Sequence, residues 1–387
     1  MDTSPLAHNL RRLRDARKLT QATLAESAEL SRVAYGAIES GDAVPRVDTL
    51  LRLAAALGVK LEELVAPVHV LQAVRFRALK RMTSREQILL DVGRWLANYD
   101  DLEKITKDRV PYVFAKLHRS VTARPRGASR ARAAATYARA ELDLAPGERI
   151  RDICGLVEER AGIKVGPVSY ASDGFFGLSV GAKNGGPAII VNAWDRISVE
   201  RWIFTAAHEL GHLLLHHASY DVTETDQPDR EEKEADQFAS EFLMPDTVFR
   251  SEWDEAAGLD LVGRVMKVKR MFNVSYRTVL YRLSEREPYG PGIWAKFQAA
   301  FRDKTGQTLL RTDEPDALGA SEFSPAMVES HAAAEPQRLT ADDFVEDRMR
   351  RLVRRAFQSN AITVGRAAEI LELDLLAMRK LIASWVD

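Results

Sequence analysis

The residues best suited to chemistry are two histidines four positions apart, with a glutamate directly after the first. They lie in the segment Thr-Ala-Ala-His-Glu-Leu-Gly-His-Leu-Leu-Leu, residues 205–215. On a helix, His208 and His212 project from one face, so both imidazoles can reach one metal ion. Glu209 falls on the adjacent flank, where a carboxylate can take a proton from a water that the metal activates. The spacing predicts a hydrolytic metal site, and the alternative is a buried helix whose histidines contact only protein groups.

A catalytic zinc needs a third protein ligand, and the acidic segment at residues 230–245 offers three glutamates. The buried face of this segment is defined by Ala235, Phe238, Ala239 and Phe242, and at about 100° per residue Glu232 lies about 60° from Ala235. By the same measure, Glu231 lies about 40° away on the other side, and Glu234 about 100° away. We predict Glu232 as the ligand and Asp236, one turn on, as the carboxylate that orients a ligating histidine. Glu231 and Glu234 remain alternatives.

The metal helix needs a scaffold, and the residues before it indicate a small sheet. Residues 162–165 begin a strand region, and residues 175–180 and 187–192 read as strands with a glycine-rich turn between them. The helix itself is expected to start near Ser198. An edge strand beside such a helix can hold an extended peptide by backbone pairing, and we expect residues 189–192 to form that edge.

Composition is typical of a globular protein of two or three domains. The chain has 387 residues, of which 46% are hydrophobic and 29% charged. No apolar run reaches the roughly 18 residues of a membrane span, and we see no secretory signal, so a cytoplasmic protein without membrane contact is expected. One cysteine, Cys154, excludes an internal disulfide and a cysteine-rich zinc site. Cys154 lies on an apolar helical stripe and is expected in the core.

The net charge of -1 hides an uneven distribution along the chain. Residues 1–70 carry nine basic and nine acidic side chains, residues 71–140 carry 16 and 6, and residues 141–387 carry 30 and 41. The basic middle could face an acidic partner or a phosphate backbone, or it could be a solvated linker.

The N-terminal residues 7–65 read as short helices separated by tight turns. Thr20 and Ser31 stand at N-cap positions, and Gly41 ends the helix that follows Ser31. The segments Leu-Thr-Gln at 19–21, Ile-Glu-Ser-Gly at 38–41 and Leu-Ala-Ala-Ala-Leu-Gly-Val at 53–59, with Pro45, resemble the XRE-type helix-turn-helix family. The resemblance covers about 60 residues, and its turn residues and spacing agree.

That resemblance implies a set of DNA contacts. Gln21 and Ser31 match positions that hold phosphates in the family, and Arg32, Val33 and Ala37 match positions that face base edges. Arg32 is the one strong hydrogen-bonding side chain among these base-facing positions. A neutral domain also attracts phosphates weakly, so a helical domain kept for protein contacts or dimerisation is the alternative to DNA binding.

Residues 150–245 resemble the ImmA/IrrE family of metallo-endopeptidases. The resemblance rests on Ile-Ile-Val-Asn at 189–192, Phe-Thr-Ala-Ala-His-Glu-Leu-Gly-His at 204–212, and Glu-Lys-Glu-Ala-Asp-Gln-Phe-Ala at 232–239 with Leu-Met-Pro at 243–245. It implies a thermolysin-like zinc site and an association with the cleavage of helix-turn-helix repressors. Members of the family often carry an XRE domain, so the two resemblances support each other.

The remaining residues give fewer signals. His216 and His217 follow the metal helix and are expected more often to cap it or lie exposed than to assist the site. Residues 261–283 read as two helices, residues 284–338 as irregular structure, and residues 340–384 again as helices. Sensing, dimerisation and substrate docking are all open for this C-terminal region.

These observations predict an α+β protein of four parts. They are an all-α helix-turn-helix domain at 1–68, a basic helical connection at 69–140, a zincin-like domain with a small sheet and the metal helix at 141–255, and a mostly helical region at 256–387. The expected activity is zinc-dependent endoproteolysis of a repressor, coupled to binding of double-stranded DNA, in a stress or mobile-element response. The alternative is a non-proteolytic transcriptional regulator whose metal site is structural or senses a ligand. A homodimer is compatible with either.

Overall fold

The structure is a computed structural model that describes residues 5–65, 71, 74–78, 85–117, 119–171, 174–183, 185–216, 220, 229–286, 288–310, 313–316, 339–344 and 348–385. The chain divides into two compact units. The first comprises residues 1–71 and 81–97, and the second comprises residues 72–80 and 98–387.

The first unit is helical, and its helices up to residue 64 share one apolar core. Its helices are α1 (Pro5–Ala16), α2 (Gln21–Ser27), α3 (Arg32–Ser40), α4 (Val47–Leu57), α5 (Leu61–Val65) and the first part of α6 (Arg85–Thr106). Thr20 and Ser31 cap α2 and α3 through their hydroxyl oxygens, and Gly41 ends α3 in the left-handed region at φ 85°. Tyr35 and Ile38 are buried in the core of this helix-turn-helix fold.

The second unit contains a four-stranded mixed sheet. Its strands are β1 (Val74–Ala78), β2 (Lys164–Val168), β3 (Phe175–Val180) and β4 (Ala188–Asn192), in the order β1-β3-β4-β2. β3 is antiparallel to both β1 and β4, and β2 is parallel to β4. β1 was not predicted, and it extends the sheet beyond the three strands expected from the sequence.

The expectation that residues 189–192 form an edge is wrong. These residues belong to β4, which pairs with β3 on one side and β2 on the other. All five residues of β4 are buried, as is usual for a continuous apolar strand that is covered on both faces. The edge of the sheet on the β3 side is instead formed by β1.

Helices cover the sheet and build the rest of the second unit. Those nearest the site are α8 (Ala128–Glu141), α10 (Val199–Leu215) and α11 (Asp229–Leu243). The others, with the C-terminal part of α6, are α7 (Arg119–Thr122), α9 (Ile153–Glu159), α12 (Asp246–Glu255), α13 (Leu261–Phe272), α14 (Tyr276–Ser284), α15 (Ile293–Thr305), α16 (Arg348–Gln358), α17 (Val364–Ile370) and α18 (Leu375–Ala383). The predicted α+β class is confirmed, and no described helix combines the length and apolar composition needed to cross a membrane.

Two glycines let α10 approach its neighbours closely. A Cβ on Gly177 of β3 would lie 2.6 Å from Cγ2 of Thr205 and 2.8 Å from the carbonyl oxygen of Ile190. A Cβ on Gly211 of α10 would lie 2.9 Å from Cδ1 of Phe238 on α11. α10 is therefore held directly against the sheet on one side and against α11 on the other.

Candidate functional site

The predicted metal residues converge where α10 and α11 meet. The Nε2 atoms of His208 and His212 lie 2.9 Å apart. Oε2 of Glu232 lies 3.4 Å from Nε2 of His208, and its Oε1 lies 3.2 Å from Nε2 of His212. Within the described residues, these three side chains form a group whose ligand atoms all lie within 4.8 Å of one another.

The donor set fits zinc. Two neutral imidazoles and one carboxylate are the protein ligands of many catalytic zinc sites, with bonds of about 2.0–2.1 Å that place neighbouring ligand atoms about 3.3 Å apart in a tetrahedron. The observed separations of 2.9–3.4 Å approach that spacing. His208 and His212 are fully buried, so their positions are fixed by packing.

Burial and hydrogen bonding set the protonation states that metal binding needs. Burial, followed by the neighbouring His208, lowers the pKa of His212 well below its usual range and favours the neutral imidazole. Burial opposes ionisation of Glu232, but hydrogen bonds with His208 and His212 outweigh it and hold the pKa of that carboxyl far below its usual range. The site therefore offers a neutral imidazole at His212 and an ionised carboxylate at Glu232.

Both histidines make a second contact through Nδ1, the ring nitrogen opposite the predicted metal-binding nitrogen. Oδ1 of Asp236, the predicted orienting carboxylate, lies 2.8 Å from Nδ1 of His208. Nδ1 of His216 lies 2.8 Å from Nδ1 of His212, and Nε2 of His216 lies 3.1 Å from Oε2 of Glu234. His216 occupies the C-cap position of α10, but its imidazole is buried rather than exposed. His217 lies outside the described residues.

The two alternative glutamates are engaged elsewhere. Glu234 is buried and accepts hydrogen bonds from Nε and a terminal nitrogen of Arg130, at 2.7 and 2.6 Å, and from the backbone N–H of Gly127 at 2.9 Å. Burial opposes ionisation of Glu234, but hydrogen bonds from His216, Arg130 and Gly127 lower its pKa to about 2. Glu231 pairs with Arg75 at 2.5 Å and with Arg126 at 3.3 Å.

Glu209 lies on the sheet side of α10 and is fully buried. The hydroxyl of Ser179, on β3, donates to Oε2 of Glu209 at 2.7 Å. The hydroxyl of Tyr220 donates in turn to the Ser179 oxygen at 2.9 Å. Burial raises the pKa of Tyr220 well above its usual range, so it stays a neutral donor. Serine and tyrosine thus fix the orientation of the carboxylate.

Arg75 brings a positive charge to the site from β1. Its guanidinium is buried and contacts Glu231 at 2.5 Å and Oε1 of Glu232 at 3.3 Å. Arg75 lies opposite Ser179 in the β1–β3 register. The strand that edges the sheet therefore contacts the predicted third ligand.

The structure also adds site residues that sequence reasoning missed, namely Ser179, Tyr220, Arg75 and Arg130. Their contacts join positions 30 to 157 residues apart, and no local spacing encodes them. The Val-Arg-Phe-Arg-Ala alternation at 74–78 was a weak signal for β1. Cys154 lies in the core, as its apolar stripe predicted.

In the first unit, the predicted DNA-contact residues lie at the start of α2 and along α3. Arg32 is exposed, and Val33 has 83% of its surface exposed. Ala37 is half-buried, and the Ser31 hydroxyl accepts from the backbone N–H of Ala34 at 3.1 Å. The Gln21 amide donates to Glu39 within the domain.

Comparison with known proteins assigns both regions. Residues 10–64 match the helix-turn-helix family, and residues 158–284 match the peptidase family described as the IrrE N-terminal-like domain. No curated protein matches the chain. A solved structure described as a Mycobacterium tuberculosis transcriptional regulator shares 18% identity over 50% of this chain and 54% of its own length, with a TM-score of 0.27. This chain thus spans about half of that protein, and a TM-score this low carries no structural argument. The two matches place an IrrE N-terminal-like peptidase domain after an N-terminal helix-turn-helix domain, in agreement with the ImmA/IrrE architecture that the sequence resembles.

Proposed function

We propose that this chain is a cytoplasmic zinc-dependent endopeptidase coupled to a DNA-binding domain. Its proposed substrate is a repressor protein, whose cleavage would derepress stress-response or mobile-element genes. The observation that supports this most is the convergence of His208, His212 and Glu232, together with a buried carboxylate, Glu209, that follows His208 on α10. The match to the IrrE N-terminal-like peptidase family covers all four residues.

Each side chain has a defined role in this proposal. A bound zinc would supply a Lewis acid that polarises the scissile carbonyl and acidifies a water. His208 and His212 would bind through Nε2, since their Nδ1 atoms are engaged by Asp236 and His216. Glu209, oriented by Ser179, would take the proton from the attacking water and pass it to the leaving amine.

A non-proteolytic regulator is the second candidate, because β1 covers the sheet edge next to the site. An extended substrate would pair with an exposed strand beside the metal helix, and β1 already pairs with β3 along residues 74–78. Arg75 also contacts Glu232. These two contacts favour a site that serves structure or ligand sensing.

Cleavage of a candidate repressor by purified protein, with and without Glu209→Gln, separates the two functions. If the chain is a peptidase, wild type cleaves the repressor, and Glu209→Gln retains the fold and zinc while cleavage falls by orders of magnitude, because Glu209 is not a ligand. Glu159→Gln, which changes an exposed carboxylate on α9, is the matched control and should cleave like wild type.

The same variants can be compared in cells that express them by following the candidate repressor on an immunoblot. Equal repressor loss with wild type and Glu209→Gln would exclude Glu209 from the mechanism. Absence of cleavage by zinc-loaded wild type, together with one bound zinc per chain, would favour the non-proteolytic regulator.

A further inference from the structure

The C-terminal helices α17 and α18 repeat the helix-turn-helix of α2 and α3. α2 and α17 both have seven residues, and α3 and α18 both have nine. The second pair follows the first at a constant separation of 343 positions, from Gln21 and Val364 onward. Each turn passes through a left-handed glutamate, with φ 55° at Glu29 and φ 53° at Glu372. The backbone path of the motif is therefore the same twice.

The side chains that define the motif also correspond. Thr20 and Thr363 cap the first helix of each pair by accepting from the backbone N–H three residues on. Ser31 and Asp374 cap the second helix in the same way. The buried positions of the first motif, Leu24, Ala25 and Tyr35, correspond to Ala367, Ala368 and Met378, which are also buried. Residues 363–384 thus form a helix-turn-helix rather than a generic hairpin.

Burial distinguishes this motif from another helix pair in the same unit. α13 and α14 are also joined through a left-handed residue, Asn273, and a serine cap, Ser275. Six of the nine residues of α14 are buried, so that helix serves the core. On α18 only Met378 is buried, which leaves its outer face accessible for recognition.

The exposed face of α18 carries more cationic side chains than the exposed face of α3. The positions that correspond to Arg32, Val33, Gly36 and Ala37 are Leu375, Leu376, Arg379 and Lys380, and all four of these are exposed. Arg and Lys can contact guanine edges or phosphates, and leucine can contact a thymine methyl group. The first motif offers one such cation, whereas α18 offers two adjacent ones.

Charge around the second motif also favours a nucleic acid. Residues 348–385 carry eight basic and three acidic side chains, whereas residues 1–70 are neutral. α16, which packs on α17, contributes five of these arginines, of which Arg348, Arg351 and Arg355 pair with Glu103, Glu159 and Asp108. These pairs leave a modest positive charge, which together with an exposed second helix favours contact with the phosphate backbone and placement of that helix in the major groove.

We propose that residues 363–384 are a second DNA-binding helix-turn-helix, with α18 as its recognition helix and Arg379 and Lys380 as its main contacts. This site is separate from the N-terminal motif and from the metal centre. A protein partner seated on Leu375 and Leu376 is the competing use of the same face, and the experiments below separate the two.

Binding of the full chain to a mixed-sequence duplex of about three helical turns, followed by fluorescence anisotropy at several salt concentrations, tests this proposal. The double variant Arg379→Ala/Lys380→Ala should weaken binding at least about fivefold. It should also reduce the slope of log affinity against log salt concentration by about one for each phosphate contact that is lost. The control is Lys296→Ala/Arg302→Ala on α15, which removes the same charge from another exposed helix and should have little effect. Each variant is also made in an Arg32→Ala background, so that DNA binding by the N-terminal motif does not mask a loss of binding by α18.

A cross-linking experiment locates the contact directly. Cys154 is buried, so a benzophenone attached to Arg379→Cys labels α18 alone. Cross-links to the duplex support the proposal. Unchanged affinity and salt dependence in Arg379→Ala/Lys380→Ala would overturn it, as would cross-links that form only to another protein chain.

Discussion

Replacing Glu234 by glutamine should destabilise the second unit while leaving the three predicted metal ligands in place. The Glu234 carboxylate is buried and accepts two hydrogen bonds from Arg130, one from the backbone of Gly127 and one from His216. An amide keeps one acceptor oxygen but turns a second acceptor into a donor, which then faces the donors of Arg130. The variant therefore leaves a nearly buried guanidinium without its counter-charge.

Two estimates of the cost agree. A pKa of about 2 in the fold against the usual 4.5 corresponds to about 3 kcal/mol of stability at neutral pH. Removing one member of a buried ion pair costs about 3–5 kcal/mol. Because the folded pKa of Glu234 is lowered, this contribution is complete above pH 4.5 and is lost as the pH falls from 4.5 towards 2.

Urea denaturation in the presence of a chelator measures this cost without the contribution of metal binding. We expect Glu234→Gln to lose about 3 kcal/mol of unfolding free energy near neutral pH, with a smaller difference from wild type below pH 4.5. Glu252→Gln, which breaks the more exposed pair with Arg149, is the matched control and should cost less than about 1 kcal/mol.

Equal stabilities of Glu234→Gln and wild type would refute the reasoning. Zinc content, measured on the same proteins without chelator, distinguishes ligand from support. We expect about one zinc per chain in wild type. It should be retained at reduced affinity in Glu234→Gln and largely lost in Glu232→Ala and His212→Ala. The reverse order for the two glutamates would assign the third ligand to Glu234.

Three further predictions concern packing, pH and DNA. Gly211→Ala should lower the unfolding free energy by about 1–3 kcal/mol, because its Cβ would lie 2.9 Å from the Phe238 ring; an unchanged melting temperature would contradict this. Burial raises the pKa of Glu314 to about 7 despite Lys269, so ionisation costs stability as the pH rises from 4.5 to about 7. Glu314→Gln should therefore gain up to about 3 kcal/mol relative to wild type between about pH 5 and pH 8 in urea denaturation, and a pH-independent difference would contradict it. Arg32→Ala should weaken binding to a selected duplex by about 1–3 kcal/mol in anisotropy, and equal affinity would exclude Arg32 as a base contact.

Local patterns predicted the elements that carry the site. The histidine spacing and the small apolar flanks of residues 205–215 predicted α10. Asp236, one turn on, favoured Glu232 over Glu231, whose helical angle is closer to Ala235, and the Glu232 carboxylate lies within 3.4 Å of both histidines. The predicted strands at 175–180 and 187–192 correspond to β3 and β4. Whether these side chains bind zinc stays a prediction.

The sequence did not predict relations between distant segments. Residues 189–192 were expected to form an edge, although the run Ala-Ile-Ile-Val-Asn at 188–192 lacks the alternation of a half-exposed strand and is typical of a central strand. β1 becomes a strand only because its backbone pairs with β3, which lies about a hundred residues later in the chain. Ser179 and Arg130 likewise reach the site through folding of the chain, and no periodicity within one element encodes such contacts.

β1 and β3 belong to one chain, and this connection sets a threshold for any extended peptide that pairs with the same edge of β3. A tethered segment competes at an effective concentration that its connection to β3 sets, whatever the concentration of protein in solution. A free peptide must overcome that competition to replace β1. A partner that also binds elsewhere on the protein is held near β3, and its effective concentration there can match that of β1. Selection among partners at this edge would then depend on surfaces remote from the strand, and short peptide libraries would underestimate which proteins can reach it.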